Sequence, residues 1–192
     1  MTKLYHFGLN LKIGMELIPD YHKKSKLVIP YIEALNKSEE AFEVMLLQGR
    51  YLREVMRRSG LREWSNYCKW ATEAVFEYVR QNHFKDRYSR IKTNYFYAEV
   101  EQCKELYKKD YIDSGDDNGE ELFEVSVEDE GVQYFDMEIY NSAYKAMENQ
   151  KNIAEIIKQA EKYWLFEKRS SANLEVLSDK KAILTKKLDW NF

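Results

Sequence analysis

Cysteine, proline and glycine are scarce in this chain of 192 residues, which has two cysteines, two prolines and seven glycines. The cysteines, Cys68 and Cys103, stand far apart and form no Cys-x-x-Cys pair. This spacing argues against a disulfide scaffold and against a zinc site built on thiolates. No proline-rich linker and no low-complexity tract interrupts the sequence, so we expect a single domain over residues 1–192.

Long apolar runs and a strong net charge are missing too. The longest apolar runs, such as Leu27 to Ile32, fall far short of the ~20 residues that a helix needs to cross a bilayer. The segment from Met1 to Pro19 alternates polar and apolar residues and lacks the apolar core of a signal peptide. Net charge is −3, which gives no overall attraction to nucleic acid or to an anionic membrane. We expect a cytoplasmic protein without a membrane or nucleic-acid partner.

The common catalytic and metal-binding motifs are also absent. The sequence has no Gly-x-Ser-x-Gly, P-loop or Gly-x-Gly-x-x-Gly motif, and its histidines, His6, His22 and His83, have no metal-ligand spacing. The acidic segment from Asp113 to Glu121 begins like a calcium loop, but Val125 stands where that loop needs its last glutamate. We therefore expect no metal site, and a surface loop at Asp113 to Glu121.

Apolar and aromatic side chains, by contrast, are abundant. The chain is 44% hydrophobic and 15% aromatic, with 15 tyrosines, nine phenylalanines and four tryptophans. Such a composition is far from that of disordered proteins. A domain of this length buries roughly 70% of its unfolded surface, so we expect the chain to fold around a substantial core.

Alternating and helical patterns together predict an α+β fold. The extended segments are Leu4 to Ile18, Ile91 to Tyr97, Phe123 to Val127, Tyr134 to Tyr140, Leu174 to Leu177 and Ala182 to Leu188. Helical spacing predicts a helical layer over residues 36–82, with one helix ending at Gly60 and a second from Trp64 to Gln81. Apolar groups lie on both sides of the second helix, which indicates a helix between two layers. Two further helices are predicted, one after Tyr97 and one from Asn152 to Phe166.

Two groups of arginines are candidates for binding anions. Arg50, Arg53 and Arg57 share one stripe of the first helix and could contact phosphate groups. Nearby glutamates can pair with them at helical spacing, which favours a solvated charged face instead. The second group, Arg80, Arg87 and Arg90, falls where a helix gives way to a strand, a place where side chains converge on pockets.

Several short motifs follow one another in a fixed order. They are Leu4-Tyr5-His6, Glu77-Tyr78-Val79-Arg80, Tyr88-Ser89-Arg90, Tyr95-Phe96-Tyr97, Ala160-Glu161-Lys162-Tyr163-Trp164 and Leu174-Glu175-Val176-Leu177. In this order they resemble an uncharacterised bacterial family of domains of unknown function, which is in turn similar to the ADP-ribosyltransferase superfamily. The resemblance covers most of the chain, from Leu4 to Leu188.

The resemblance implies a split sheet, in which two small sheets form a cleft, and a site for NAD as substrate. His6 and Arg90 would hold ribose and phosphate, with Ser89 and Arg87 beside them as further cofactor-binding residues. Tyr95 would pack on nicotinamide. Glu175 would be the catalytic residue, because a carboxylate stabilises the positive charge that develops in the transition state.

The chain departs from the superfamily pattern at two positions. Tyr88 stands where a proline is expected, and Asn173 stands where arginine-directed transferases have a first glutamate, which argues against arginine as the acceptor. Three functions stay open: NAD-dependent transfer or hydrolysis, nucleotide binding without catalysis, and protein interaction. If either of the two nucleotide functions is right, the strand at Leu4 should pair in the same sheet system as the strands near Tyr95 and Glu175.

Overall fold

The computed structural model describes residues 2–20, 25–59, 66–113, 115, 119–166 and 173–190. The chain forms two compact units, each assembled from separate stretches of sequence. The sheet unit comprises Met1–Tyr21, Lys92–Met137 and Glu167–Phe192. The helical unit comprises His22–Ile91 and Glu138–Phe166. The predicted single domain over residues 1–192 stays a prediction.

Seven antiparallel strands make up the sheet of the sheet unit. They are β1 (Thr2–Gly8), β2 (Glu16–Leu17), β3 (Asn94–Tyr97), β4 (Glu121–Val127), β5 (Val132–Asp136), β6 (Leu174–Ser178) and β7 (Ala182–Leu188). Their order is β2-β7-β4-β1-β3-β6-β5. The short helix α1 (Val100–Tyr107) follows β3. With the helices below, these strands confirm the predicted α+β class.

Strand β1 joins two parts of this sheet very unequally. It pairs with β4 along its whole length, from Thr2 opposite Val127 to Gly8 opposite Glu121. With β3 it shares one residue pair, Tyr5 opposite Tyr97. The hydrogen-bonded sheet is continuous, yet it consists of a four-stranded half, β2-β7-β4-β1, and a three-stranded half, β3-β6-β5. The resemblance implied two small sheets, whereas the described strands form one continuous sheet with a narrow junction between β1 and β3.

One face of the sheet, here called the core face, carries a cluster of buried apolar side chains. Strand alternation places every second side chain on that face, as in β4, where Phe123, Val125 and Val127 are buried. Leu4 of β1 and Phe96 of β3 belong to the same apolar cluster. Because each half of the sheet contributes to this cluster, apolar packing holds the two halves together where backbone hydrogen bonds are few.

The described residues of the helical unit form five helices, and two of them were not predicted from the sequence. In chain order they are α2 (Ser25–Lys37), α3 (Glu39–Arg58), α4 (Tyr67–His83), α5 (Met137–Glu148) and α6 (Ile153–Trp164). The prediction missed α2, which contains Pro30, a residue that is unfavourable inside a helix. It also missed α5 and extended a strand to Tyr140. Burial of Tyr140, Ala143 and Met147 at helical spacing is what makes this segment a helix.

Helix α4 is the centre of the helical unit. It packs against α2 and α6, and ten of its 17 residues are buried, including Ala71, Val75 and Phe76. This confirms the predicted helix with apolar groups on both sides. Helix α3 touches it more lightly, and Ser38 caps the start of α3 by accepting a hydrogen bond from the Ala41 amide. The predicted start of α4 at Trp64 lies outside the described residues.

Gly49 of α3 lies where α3 meets α4. We expect its replacement by a larger residue to destabilise the fold. An added Cβ atom would lie 2.7 Å from the Cβ atom of Tyr67. Alanine gains up to ~1 kcal/mol in helix propensity, whereas overpacking costs about 1–3 kcal/mol. We expect Gly49→Ala to lower the free energy of unfolding by about 1 kcal/mol in urea titrations. The exposed neighbour Gln48 supplies the control, Gln48→Ala, which should be neutral or stabilising. A Gly49→Ala protein more stable than this control would contradict the close approach.

Candidate functional site

His6 lies at the junction between the two halves of the sheet. Its Nδ1 atom is 3.1 Å from the Tyr95 carbonyl oxygen on the neighbouring strand β3. A carbonyl oxygen only accepts, so Nδ1 carries a proton and donates this hydrogen bond. The ring also meets Phe96 edge to face, with 5.8 Å between centroids. The side chain thus links β1 to β3 just beyond their one backbone pair.

Glu175 lies on β6, the strand on the other side of β3. It is opposite Tyr97 of β3 and Phe135 of β5, and it is 4% exposed. Tyr95 and Tyr97 alternate with the core residue Phe96, so both tyrosine side chains share the face of Glu175. The three predicted residues of this unit, His6, Tyr95 and Glu175, therefore sit on three adjacent strands. The prediction that the Leu4 strand lies in the same sheet system as the strands near Tyr95 and Glu175 is confirmed.

The two faces of the sheet nevertheless separate these side chains. His6 is opposite the core residue Phe123 of β4, so its ring lies on the core face. The side chains of Tyr95 and Glu175 lie on the opposite face. The structure brings His6 to the backbone of Tyr95, but it does not place the three side chains on one surface.

An aromatic cluster occupies the Glu175 face and was missed from the sequence. Phe7 stacks on Tyr97 with 5.6 Å between ring centroids, and Tyr107 stacks on Trp190 at 4.1 Å. The Trp190 indole donates to the Glu120 carbonyl oxygen, which fixes the C-terminal segment on this cluster. The i, i+4 spacing of Tyr107 and Tyr111 was the available signal, since these rings also stack. The Glu175 face therefore carries a cluster of aromatic rings that pack on one another.

Arg90 is enclosed in the core of the helical unit. Its guanidinium donates to both carboxylate oxygens of Glu73, at 2.9 and 3.1 Å, and to the Tyr163 hydroxyl at 2.6 Å. It also lies 4.0 Å from the ring centroid of Tyr140. The residue is only 3% exposed. Arg90 is therefore the buried ion-pair partner of Glu73 on α4. The resemblance had implied that Arg90 holds phosphate.

A second buried carboxylate lies one helical turn further along α4. Glu77 accepts two hydrogen bonds from the Arg80 guanidinium, at 2.7 and 3.0 Å, and one from the Ser89 hydroxyl at 2.9 Å. Arg80 also donates to the Arg87 carbonyl oxygen, which holds the loop after α4. The Ser89 hydroxyl thus donates to Glu77, and the backbone carbonyl of Arg87 accepts a hydrogen bond in the same network. The signal missed in the sequence was the pair of carboxylates at i, i+4 on an apolar helix.

The predicted arginine stripe of α3 borders two cavities in the helical unit. Arg50 and Tyr67 line both cavities, which measure 230 and 630 Å³. Arg53 and Arg57 line the larger one. Hydrogen bonds from Arg57 and Arg58 hold the pKa of the Glu54 carboxyl down at about 2. The pairing foreseen between the stripe and nearby glutamates is therefore present at Glu54.

Neither cysteine has the properties of a nucleophile. Both are free and buried, and burial raises the pKa of the Cys103 thiol far above its ordinary value. Burial likewise raises the pKa of Cys68. Because the thiolate is the reactive form, neither side chain supplies a nucleophile at neutral pH. Among the described residues, no group of three or more His, Cys, Asp or Glu side chains could hold a metal ion.

The chain belongs to the family described as "Protein of unknown function (DUF2441)", whose model matches residues 18–189. No curated protein matches the chain. No helix within the described ranges is long and apolar enough to span a bilayer.

The burial of Arg90 predicts a structural rather than a ligand-binding phenotype. Replacing Arg90 by leucine would leave the Glu73 carboxylate buried without its cation, which costs about 3–5 kcal/mol. We expect Arg90→Leu to lower the free energy of unfolding by that amount in urea titrations. Arg58→Leu, at an exposed end of α3, should change it by less than about 0.5 kcal/mol. An Arg90→Leu protein as stable as the parent but weaker in binding NAD would show instead that Arg90 serves the ligand.

Proposed function

We propose that this member of the DUF2441 family is an ADP-ribosyltransferase-like protein that binds NAD at the junction of its two half-sheets. The observation that supports the proposal is the hydrogen bond from His6 to the Tyr95 backbone, placed where β1 and β3 stop pairing. Glu175 lies on the next strand. The substrate class is a nucleotide with a nicotinamide group, and the acceptor is left open.

His6 is proposed to act in binding. Its Nδ1–H donates to the Tyr95 carbonyl oxygen, and in the proposed complex the ring nitrogen Nε2 accepts a hydrogen bond from a ribose hydroxyl. The same hydrogen bond fixes the orientation of the ring, so little rotamer entropy is lost when a ligand binds. This side chain is half-buried, which strengthens a hydrogen bond made there.

Glu175 is proposed to act on the reacting bond. Bound NAD supplies the glycosidic bond between nicotinamide and ribose, which gains positive charge on the ribose as it breaks. A carboxylate with 4% exposure stabilises such charge better than one in water, because solvent screens it less. The aromatic side chains of Tyr95 and Tyr97 share its face and offer stacking surfaces for the nicotinamide ring.

One observation favours a second candidate function, nucleotide binding without catalysis. His6 lies on the core face of the sheet, whereas Glu175 and Tyr95 lie on the opposite face. Arg90, which the resemblance assigned to phosphate, is committed to Glu73. A chain that keeps the ligand-holding residues but does not converge them on the reacting bond would bind NAD and leave it intact.

Two substitutions separate holding the ligand from breaking its bond. Glu175→Gln removes the charge while keeping the shape, so it should lower nicotinamide release at least about 100-fold and change NAD affinity less than about twofold. His6→Ala removes an acceptor and should weaken NAD binding about tenfold, or roughly 1.4 kcal/mol. Calorimetric titration with NAD and chromatographic detection of free nicotinamide measure the two quantities.

The control is Glu121→Gln, an isosteric change on the neighbouring strand β4 outside the three adjacent strands β1, β3 and β6. It should alter neither quantity. Thermal unfolding of each variant shows whether the fold survives. Binding without release in the parent protein would favour the second candidate. No binding at about 1 mM NAD would remove both nucleotide functions.

A further inference from the structure

Helix α3 exposes an apolar stripe that nothing in the described chain covers. All residues of this helix are described, and only Phe42 and Gly49 are buried. On the opposite side, Val44, Leu47, Tyr51 and Val55 are 52%, 57%, 74% and 40% exposed. Their spacing of three, four and four residues keeps them in one line along the helix. Isolated exposed apolar residues are common, but four in one line form a continuous patch.

The charges of α3 are segregated along the same helix. Its first half, residues 39–48, holds three glutamates, Glu39, Glu40 and Glu43, and no basic residue. Its second half, residues 49–58, holds four arginines, Arg50, Arg53, Arg57 and Arg58, and the single glutamate Glu54. The halves carry formal charges of opposite sign and equal size.

Helix stability alone accounts for part of this charge pattern. Acidic side chains in the first turn and basic ones in the last turn offset the helix dipole, an effect that fades within one turn. Glu39, Glu40, Arg57 and Arg58 fall in those turns. Glu43 lies beyond the first turn, and Arg53 lies before the last. The exposed apolar stripe between them is not explained by the dipole at all.

We propose that α3 is a self-association surface on which a second copy of this chain packs antiparallel to the first. An antiparallel arrangement brings the acidic half of each helix to the basic half of the other, whereas a parallel one would set like charges together. With Leu47 of one copy beside Tyr51 of the other, Glu40 falls opposite Arg58 on both sides. A two-fold axis generates both contacts from one surface, as symmetric dimers require.

The small area of the α3 surface limits the expected affinity of the dimer. A helix of 20 residues is about 30 Å long, and a strip of that length and about 10 Å width is well below the ~800 Å² per partner of a standard interface. The dimer is therefore weak, with a dissociation constant on the order of 10 µM. This surface lies in the helical unit and is independent of any NAD chemistry.

Sedimentation equilibrium of the full chain at low salt tests the association. The parent protein should dimerise, and Leu47→Asp should raise the dissociation constant at least about 30-fold, because it places a carboxylate in the centre of the stripe. The matched control is Leu165→Asp, which changes an equally exposed leucine just after α6 and should leave the constant unchanged. A parent protein that stays monomeric at about 0.5 mM overturns the proposal, as does equal weakening by the two substitutions.

Charge reversal tests the antiparallel orientation. One variant carries Glu40→Lys with Glu43→Lys, a second carries Arg57→Glu with Arg58→Glu, and a third combines all four changes. The first two should each weaken self-association about tenfold but bind each other when mixed, and the third should regain the parent's affinity. Circular dichroism checks that α3 remains helical in each. A folded third variant as monomeric as the first two overturns the antiparallel pairing.

Discussion

The hydrogen-bonded position of β1 is the constraint on which the sheet unit depends. This strand pairs with β4 over seven residues and with β3 through Tyr5 and Tyr97 alone. Among the described strands, β1 is the one member of the four-stranded half that pairs with the other half, so the two halves are joined across the boundary between β1 and β3. His6 adds a side-chain hydrogen bond there, and the apolar cluster beneath it adds packing.

The helical unit depends on a different interaction, the pairing of buried charges along α4. Glu73 and Glu77 are both enclosed, and each is met by an arginine and a hydroxyl. Desolvating such a carboxylate is costly, and full hydrogen bonding offsets that cost. Removing either arginine would leave a buried carboxylate without its cation, so its desolvation cost would no longer be offset. The arginines of this region therefore have a structural role, because their hydrogen bonds hold the loop after α4 and helix α6 against α4.

The contrast between α3 and α4 separates the structural from the interactive parts of the helical unit. Helix α4 buries both Glu73 and Glu77 and its apolar residues. In α3, by contrast, Leu47 and Tyr51 are exposed and line the larger cavity. A helix whose apolar side faces water gains free energy when another surface covers it. The proposed nucleotide chemistry in the sheet unit and the proposed self-association through α3 therefore involve separate residues and can be tested separately.

The sequence by itself determined the α+β class and most elements, because strand alternation and helical spacing are local properties. Phe123, Val125 and Val127 alternate as a half-buried strand, and Ser38 with its following glutamates marks the start of α3. The sequence reading missed α2, which contains Pro30, and α5, where the burial of Tyr140 at helical spacing reflects packing. The site was foreseen only as a chain order of His6, Tyr95 and Glu175, and pairing of their strands agreed with it. Tertiary structure alone decided which sheet face each side chain occupies and that Arg90 meets Glu73, since strand register and long-range pairing depend on contacts between residues far apart in the chain.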